Sequence, residues 1–161
     1  MPLLASVERV RAALLAAGHP DRITEFPDGT RTAEDAAAAV GCAVAQIAKS
    51  IVFRAGDQAV VVITSGANRV DPKKLAAALG RPVKRADAEF VRHATGFAIG
   101  GVSPFGHTSA ALLVFDRDLL PLHSIWAAAG SPTHVFTTDP ATLVRLTGAI
   151  VADIRQDLTP A

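Results

Sequence analysis

The pattern of apolar and polar positions predicts short strands and helices that follow one another irregularly along the chain. Two apolar, β-branched runs, Ser50 to Arg54 and Ala59 to Thr64, flank Gly56-Asp57 and predict an antiparallel hairpin at the centre of a sheet. Lys49 lies at the entrance to this hairpin. Five other runs predict strands: Ile23 to Phe26, Pro82 to Lys84, Ala110 to Phe115, Thr133 to Phe136 and Ala149 to Ile154.

Helices are predicted where a capping residue precedes apolar positions at helical spacing. Asp71-Pro72 and Asp139-Pro140 each place a cap before a proline at the first helical position, and the helices end near Leu79 and Leu146. Three more are predicted, from Ser6 to Ala17, from the cap Thr32 over Ala33 to Val40, and from the cap Asp87 to His93, with a turn at Pro27-Asp28-Gly29. Strands that alternate irregularly with helices indicate a mixed α/β fold, with a mostly antiparallel sheet or partial barrel surrounded by helices.

Length and composition limit the kind of protein. The 161 residues, half of them apolar, suit a single domain spanning 1–161. No run approaches the roughly 20 apolar residues of a membrane span, so we expect a cytoplasmic protein with no membrane partner. Cys42 is the only cysteine, which excludes an internal disulfide and is interpreted as a structural thiol.

Familiar catalytic motifs are missing from the sequence. The five histidines show no metal-ligand spacing, and neither GxGxxG nor a Walker sequence occurs, so we expect no metal and no cofactor. No GxSxG elbow is present, which leaves a covalent serine hydrolase without support. Hydrolysis, if the protein performs it, would use water directly.

Positive charge is concentrated in the middle of the chain. The whole sequence carries a net charge of +1, but residues 69–92 hold seven basic against three acidic side chains, a net charge of +4. The basic residues are Arg69, Lys73, Lys74, Arg81, Lys84, Arg85 and Arg92. This stretch is a candidate surface for a polyanion, and an ordinary solvated surface is the alternative.

Two features stand out as candidate chemistry. Lys49 precedes an apolar strand, where its charge needs a partner unless the side chain reaches solvent. The segment Thr95 to His107 is unusually rich in glycine, and Gly100-Gly101 followed by Pro104 would let backbone N–H groups converge on an oxygen atom. A structural glycine-proline loop is the alternative for this segment.

Three motifs in order resemble the YbaK/EbsC family, also called the prolyl-tRNA synthetase-associated editing domain. They are Gln46-Ile47-Ala48-Lys49-Ser50, then Asp71-Pro72-Lys73-Lys74-Leu75, then the TGxxxGGxSPxG pattern from Thr95 to Gly106. The resemblance extends over nearly the whole chain. It implies the YbaK-like fold and a freestanding trans-editing deacylase, which hydrolyses the ester between a wrong amino acid and the terminal adenosine of a transfer RNA, typically the proline-specific one.

The resemblance also implies roles for individual residues. Lys49 takes the role of the family's essential lysine, and the family's GxxxP loop falls on Gly100, Gly101, Val102, Ser103 and Pro104. We expect Lys49 to bind the terminal ribose or phosphate and a loop amide from Gly101, Val102 or Ser103 to hold the oxyanion. Candidate walls of the substrate pocket are Phe26, Val44, Ile47, Ile63, Phe97 and His107; ordinary core or surface positions are the alternative.

These expectations define the function hypotheses. The first is a deacylase for a small misattached amino acid such as alanine, serine, threonine or cysteine. Arg69, Lys73, Lys74, Lys84 and Arg85 would hold the transfer RNA. Expected partners are misacylated transfer RNA and, as a candidate, prolyl-tRNA synthetase, with the protein a monomer or weak dimer. The alternatives are a catalytically silent tRNA-binding or synthetase-associated module and a hydrolase of small free esters or amides.

Overall fold

The computed structural model describes residues 2–26 and 32–157, which form five helices and eight strands. The helices are α1 Pro2–Ala16, α2 Ala33–Val40, α3 Pro72–Leu79, α4 Ala88–Thr95 and α5 Pro140–Thr147. The strands are β1 Ile23–Glu25, β2 Ile47–Ala55, β3 Gln58–Ser65, β4 Lys84–Arg85, β5 Leu112–Asp116, β6 Ile125–Ser131, β7 His134–Thr138 and β8 Ile150–Ala152. Short 3-10 turns occupy Val44–Gln46 and Arg117–Leu119.

All eight strands belong to one mixed sheet. Its order is β1-β7-β6-β2-β3-β5-β8, with β4 paired to β2 off this path. The central hairpin of β2 and β3 is antiparallel, as the sequence predicts, and pairs Lys49 with Thr64. β6 runs parallel to β2, and β5 runs parallel to both β3 and β8. The predicted mixed α/β class is therefore confirmed.

Side-chain caps explain why the helices begin where they do. Asp71, Asp87 and Asp139 each accept a backbone N–H of the first turn of α3, α4 and α5, and Thr32 does the same for α2. The predicted start of the first helix at Ser6 is wrong, because α1 already begins at Pro2 and Ser6 lies inside it. The predicted turn Pro27-Asp28-Gly29 lies outside the described residues.

Strand β6 was not predicted from the sequence. Between Trp126 and Ser131, its residues are alanines and a glycine, which are depleted in strands. The signal that was available is alternation, because Ile125, Ala127 and Ala129 are all buried in the main core while Trp126 is more accessible. At Gly130, a β-carbon would approach the Ser6 carbonyl oxygen to 2.7 Å, so only glycine allows α1 to pack this closely on β6.

The path of β2 leaves a gap along one edge. β2 pairs with β6 only through Ile47 and Ala48, and with β4 only at Phe53 and Arg54. Between these pairings, the edge formed by residues 49–51 has no neighbouring strand among the described residues. The sheet is therefore split at this point. No helix of the described chain is long and apolar enough to cross a membrane.

Candidate active site

A cleft of about 730 Å³ occupies the gap where β2 and β6 separate. Lys49 lines it from β2, and Gly100 and Val102 line it from the glycine-rich loop. Lys49 and Gly100, which lie 51 positions apart in sequence, therefore line one cavity. Other wall residues come from α2, the turn after β3, β6 and β7, among them Glu34, Asn68, Arg69, Trp126, Ser131 and His134.

The Lys49 ammonium is held in an unusual electrostatic environment. No described carboxylate lies within ion-pair distance of it. Partial burial lowers the pKa of Lys49, Glu34 opposes this, and the positive charges of Arg69 and Arg85 lower the pKa further. The net effect is a lowered pKa. A partly desolvated cation without a paired carboxylate is well placed to attract an anionic or strongly polar ligand.

The loop from Gly100 to Pro104 lies partly at the cleft, and its amides differ in their hydrogen bonding. The Gly101 N–H donates to the Ala98 carbonyl oxygen at 2.9 Å, so it already closes a turn. The Val102 N–H has no hydrogen-bond partner among the described residues, and Val102 lines the cleft. Ser103 and Pro104 are buried and do not line the cleft. The Ser103 hydroxyl accepts the Phe105 N–H and stiffens the end of the loop.

Arg9 of helix α1 holds both ends of the glycine-rich loop through hydrogen bonds. Arg9 donates from Nε to the Gly106 carbonyl oxygen and from Nη2 to the Gly96 carbonyl oxygen, both at 2.7 Å. Its guanidinium also lies 4.5 Å from the centre of the Phe97 ring. Arg9 thus ties both ends of the glycine-rich stretch to one helix, a role that sequence patterns do not reveal.

A polar network on the opposite wall was also missed by the sequence analysis. His134 Nδ1 lies 2.6 Å from Ser131 Oγ, and His134 Nε2 lies 3.3 Å from Glu25 Oε2. Thr133 completes the network through contacts to both Ser131 and His134. Nδ1 is hydrogen-bonded to the Ser131 hydroxyl group, and Nε2 faces the Glu25 carboxylate, so both ring nitrogens have polar neighbours. The ring of His134 is therefore fixed in orientation beside the cleft.

A buried carboxylate shapes the third side of the cleft. Asp116 is fully buried, and its Oδ2 accepts the Thr64 hydroxyl, the Ser65 N–H and the Asn68 side-chain amide. These bonds hold the turn after β3. Gly66 in that turn leaves no room for a β-carbon, which would lie 2.5 Å from the Val44 carbonyl oxygen.

The predicted pocket residues divide into two groups. Val44 and Ile47 line the cleft. Ile63 and Phe97 are buried in the main core and do not line it, and Phe26 does not line it either. His107 lies behind the loop, where its Nε2 donates to the Ser103 carbonyl oxygen at 2.7 Å. Burial lowers the pKa of His107, more than its bond to Ser103 raises it.

Some of the predicted RNA-binding residues line the cleft and others lie away from it. Arg69 and Arg85 line the cleft and are exposed, whereas Lys73 and Lys84 are exposed away from it. Lys74 is held by the C-terminal segment through Asp153, Asp157 and the Arg155 carbonyl oxygen. Nearby arginines also have partners: Arg81 donates to the Ala55 carbonyl oxygen, and Arg85 lies 5.6 Å from the Phe53 ring centre. The positive charge nearest the cleft is therefore that of Lys49, Arg69 and Arg85.

Metal ligands are not grouped in the described part of the chain. No three histidine, cysteine, aspartate or glutamate side chains within residues 2–26 and 32–157 come together as a set that could hold a metal ion. What the cleft does offer is a cation, a lining residue, Val102, whose N–H is unpaired among the described residues, and a polar wall. Such a site suits a ligand with a carbonyl group and an anionic or hydroxyl-rich neighbour.

Comparisons with known sequences connect this cleft to a family. The family model described as the aminoacyl-tRNA editing domain matches residues 27–146. The uncharacterised protein YwhH of Bacillus subtilis is 30% identical over 139 residues, which cover 86% of this chain and 88% of YwhH. A proline–tRNA ligase of Lactobacillus helveticus is 29% identical over 109 residues, which cover 67% of this chain but only 19% of the ligase.

Two solved structures match nearly the whole chain. The crystal structure of a protein proposed to be a trans-editing enzyme for prolyl tRNA synthetase has a TM-score of 0.89 and 44% identity, and the match covers 94% of this chain and 98% of that one. The hypothetical protein APE2540 has a TM-score of 0.86 and 30% identity, with 92% and 99% covered. Because the family model matches residues 27–146, about three quarters of the length, the chain belongs to the aminoacyl-tRNA editing domain family.

Proposed function

We propose that this protein is a trans-editing deacylase, which hydrolyses the ester of a small non-cognate amino acid attached to a transfer RNA. The observation that carries the proposal is that Lys49 lines the same cleft as Gly100 and Val102 of the glycine-rich loop. An aminoacyl ester has a carbonyl oxygen that becomes negative during hydrolysis, next to a ribose and a phosphate. In the proposed site, a loop N–H would bind the carbonyl oxygen, and the Lys49 ammonium would bind the ribose or phosphate.

The proposed reaction is direct attack by water. Water adds to the ester carbonyl carbon, negative charge develops on the carbonyl oxygen, and the carbon–oxygen bond to the ribose breaks. The products are the free amino acid and a ribose hydroxyl, which takes up a proton. The N–H of Val102 is the leading oxyanion donor, since the Gly101 N–H is already bonded to Ala98. One such donor is worth about 10² to 10³ in rate.

A substrate hydroxyl is the proposed group that positions the water. The cleft wall does contain an imidazole, but both nitrogens of His134 have partners, in Ser131 and Glu25. The neighbouring ribose hydroxyl lies beside the ester in every aminoacylated transfer RNA. We therefore propose that His134 shapes the cleft wall and that the ribose hydroxyl group positions the attacking water.

The remaining cations are proposed to hold the nucleic acid. Arg69 and Arg85 lie at the cleft with Lys49, and Lys84 precedes Arg85 on β4. They would neutralise phosphates close to the acylated end, a type of contact that weakens steeply with salt. Exposed Lys73 on α3 extends the basic surface beyond the cleft.

Proline-specific transfer RNA is the proposed carrier. Support comes from the likeness to a proline–tRNA ligase of Lactobacillus helveticus and to a protein proposed to edit for prolyl tRNA synthetase. A synthetase pocket sized for proline cannot strongly reject smaller amino acids, because one methylene is worth only about 1–3 kcal/mol. A second site that hydrolyses the smaller esters would remove these errors.

The test is a deacylation assay on a panel of mischarged transfer RNAs. We expect purified protein to release alanine, serine, threonine or cysteine from tRNA-Pro, and Lys49→Ala to lower kcat/KM by about 10²-fold or more. Arg22→Ala is the control, since it removes an exposed cation that lies outside the cleft and outside the proposed RNA-binding residues. If wild-type protein and Lys49→Ala release amino acid at the same background rate, the protein is a silent binding module.

A further inference from the structure

Ser50 carries a buried hydroxyl group without a partner. Its Oγ is the one buried side-chain nitrogen or oxygen atom of the described chain that makes no hydrogen bond. Buried hydroxyl groups are normally paired, because an unpaired one loses its bonds to water without replacement. Ser50 directly follows Lys49 on β2 and lines the cleft. A ligand bound in the cleft would supply the missing hydrogen-bond partner of this hydroxyl group.

The strand geometry places the main chain of Ser50 at the same opening. The Val52 carbonyl oxygen accepts the Ala86 N–H, so the peptide groups of Val52 point away from β3. In an antiparallel ladder, the direction alternates with each residue, so those of Ser50, two positions earlier, point the same way. That side of β2 is the gap between β6 and β4. Ser50 therefore turns both its peptide groups and its hydroxyl-bearing side chain toward regions that a substrate can reach.

A small recess opens beside Ser50. It has a volume of about 60 Å³ and shares Ser50, Gly100 and Val102 with the main cleft. Its other walls are mostly apolar and include Val52, Val91 and Ile99, and Arg85 is the charged residue among those that line it. The Ser50 side chain lies on the face of β2 that carries Ala48 and Val52, which is the face that packs against Val102. Side chain, recess and loop thus meet at one point.

We propose that this recess receives the side chain of the misattached amino acid, and that the Ser50 hydroxyl selects a side chain that itself bears a hydroxyl on its first carbon, as serine does. The inference rests on the proposed deacylase function and names the substrate class of that site. A recess of this size takes a side chain of a few heavy atoms. A hydroxymethyl group fills the space and pairs with Ser50 Oγ. The methyl group of alanine fills less of it and leaves that oxygen unpaired.

The expected selectivity follows from that hydrogen bond. Leaving one buried polar group unpaired typically changes an equilibrium or a rate constant by about tenfold or more. We therefore expect wild-type protein to hydrolyse seryl-tRNA-Pro with a kcat/KM about tenfold above that for alanyl-tRNA-Pro. Threonine adds a methyl group and should be slower than serine. Cysteine offers only a weak donor, the thiol, and should not reach serine either.

Ser50→Ala tests the proposal, because it removes the hydroxyl and keeps the rest of the side chain. We expect kcat/KM for the seryl ester to fall about tenfold and that for the alanyl ester to stay within about twofold, which abolishes the preference. Ser109→Ala is the matched control, since Ser109 is exposed and lies outside the cleft, and both rates should stay unchanged. The midpoint of thermal unfolding of Ser50→Ala should equal or exceed that of wild type.

Several outcomes overturn the inference. It fails, while the deacylase function stands, if wild type hydrolyses the alanyl ester as fast as the seryl ester. The inference also fails, and the deacylase function stands, if Ser50→Ala lowers kcat/KM equally for the seryl and the alanyl ester. A lowered unfolding midpoint would show that the hydroxyl has a partner within the protein, which also overturns it. If no ester on the panel is hydrolysed by wild type, the proposed function and this inference fail together.

Discussion

Gly101 packs directly against the backbone of Ser131. A β-carbon built on Gly101 would lie 2.8 Å from the Ser131 Cα and 3.0 Å from its carbonyl carbon and nitrogen atoms. These neighbours are main-chain atoms of β6 and cannot rotate aside. The contact fastens the candidate oxyanion loop to the strand that forms the opposite wall of the cleft, so the separation between the two walls depends on the absence of one side chain.

Gly101→Ala should therefore displace the loop. Misplacing a reacting group by about 1 Å can lower a rate by about 10²-fold, and we expect a loss of kcat/KM of this order in the deacylation assay. Gly80→Ala is the control: Gly80 ends α3 in a left-handed conformation with no atom near its missing β-carbon. It should lower stability by about 1 kcal/mol and leave kcat/KM unchanged. Full activity of Gly101→Ala would contradict the proposed role of the loop.

The rate should depend on pH through Lys49. Burial and the charges of Arg69 and Arg85 lower the pKa of Lys49, so its ammonium loses its proton at a pH below the usual range for lysine. After subtraction of spontaneous hydrolysis, kcat/KM should fall as the pH rises through that lowered pKa. Arg69→Gln removes a charge that lowers the pKa and should move the fall to higher pH.

Glu34 acts on the pKa of Lys49 in the direction opposite to Arg69 and therefore gives a second test. Its carboxylate raises the pKa of Lys49, so Glu34→Gln should move the alkaline fall of kcat/KM to lower pH. The exposed Asp35, its neighbour on α2, is the matched control and Asp35→Asn should leave the profile in place. An identical profile for wild type, Arg69→Gln and Glu34→Gln would exclude the Lys49 ammonium as the titrating group.

Salt should weaken the reaction of subsaturating transfer RNA. The logarithm of kcat/KM should fall linearly with the logarithm of salt concentration, and each lost phosphate contact should reduce the slope by about 0.7 to 0.9. We expect Lys84→Gln to reduce it by this amount. Lys74→Gln should change it less, because Asp153 and Asp157 already neutralise that ammonium. A slope near zero in wild type would indicate a small free ester as substrate.

Removing the buried carboxylate of Asp116 should destabilise the protein. Asp116→Ala leaves the Thr64 hydroxyl, the Ser65 N–H and the Asn68 amide without their acceptor. An unpaired buried donor costs about 1–3 kcal/mol, so the free energy of unfolding in urea should fall by at least that much. Asp57→Ala removes an exposed carboxylate paired only with Arg54, and the change should stay within about 0.5 kcal/mol.

The single tryptophan should report ligand binding. Trp126 lines the cleft from β6 and is the only tryptophan of the chain. A non-hydrolysable aminoacyl-adenosine analogue bound beside Lys49 should change its fluorescence with a saturable dependence on concentration. Lys49→Ala should weaken the apparent affinity. No change in fluorescence or in the emission maximum at saturating analogue would place the ligand away from this cleft.

Much of the fold was predictable from the sequence because its signals are local. Caps at Thr32, Asp71, Asp87 and Asp139 predict where four helices begin, and all four are confirmed. The β-branched hairpin was predicted for the same reason. β6 was missed, because alanine and glycine give little strand signal and its burial depends on neighbours that are distant in sequence.

Sequence alone determined the candidate groups for chemistry, namely a lysine before an apolar strand, a glycine-rich loop and a basic stretch. Only the tertiary structure decided how they meet. The parallel register of β2 and β6 ends after Ala48, and this opens the cleft between them. The packing of loop and strands also brings Ser131 beside Gly101 and leaves the Ser50 hydroxyl group without a partner. Strand pairing across some 80 residues depends on the packing of the whole core, and no local pattern contains it.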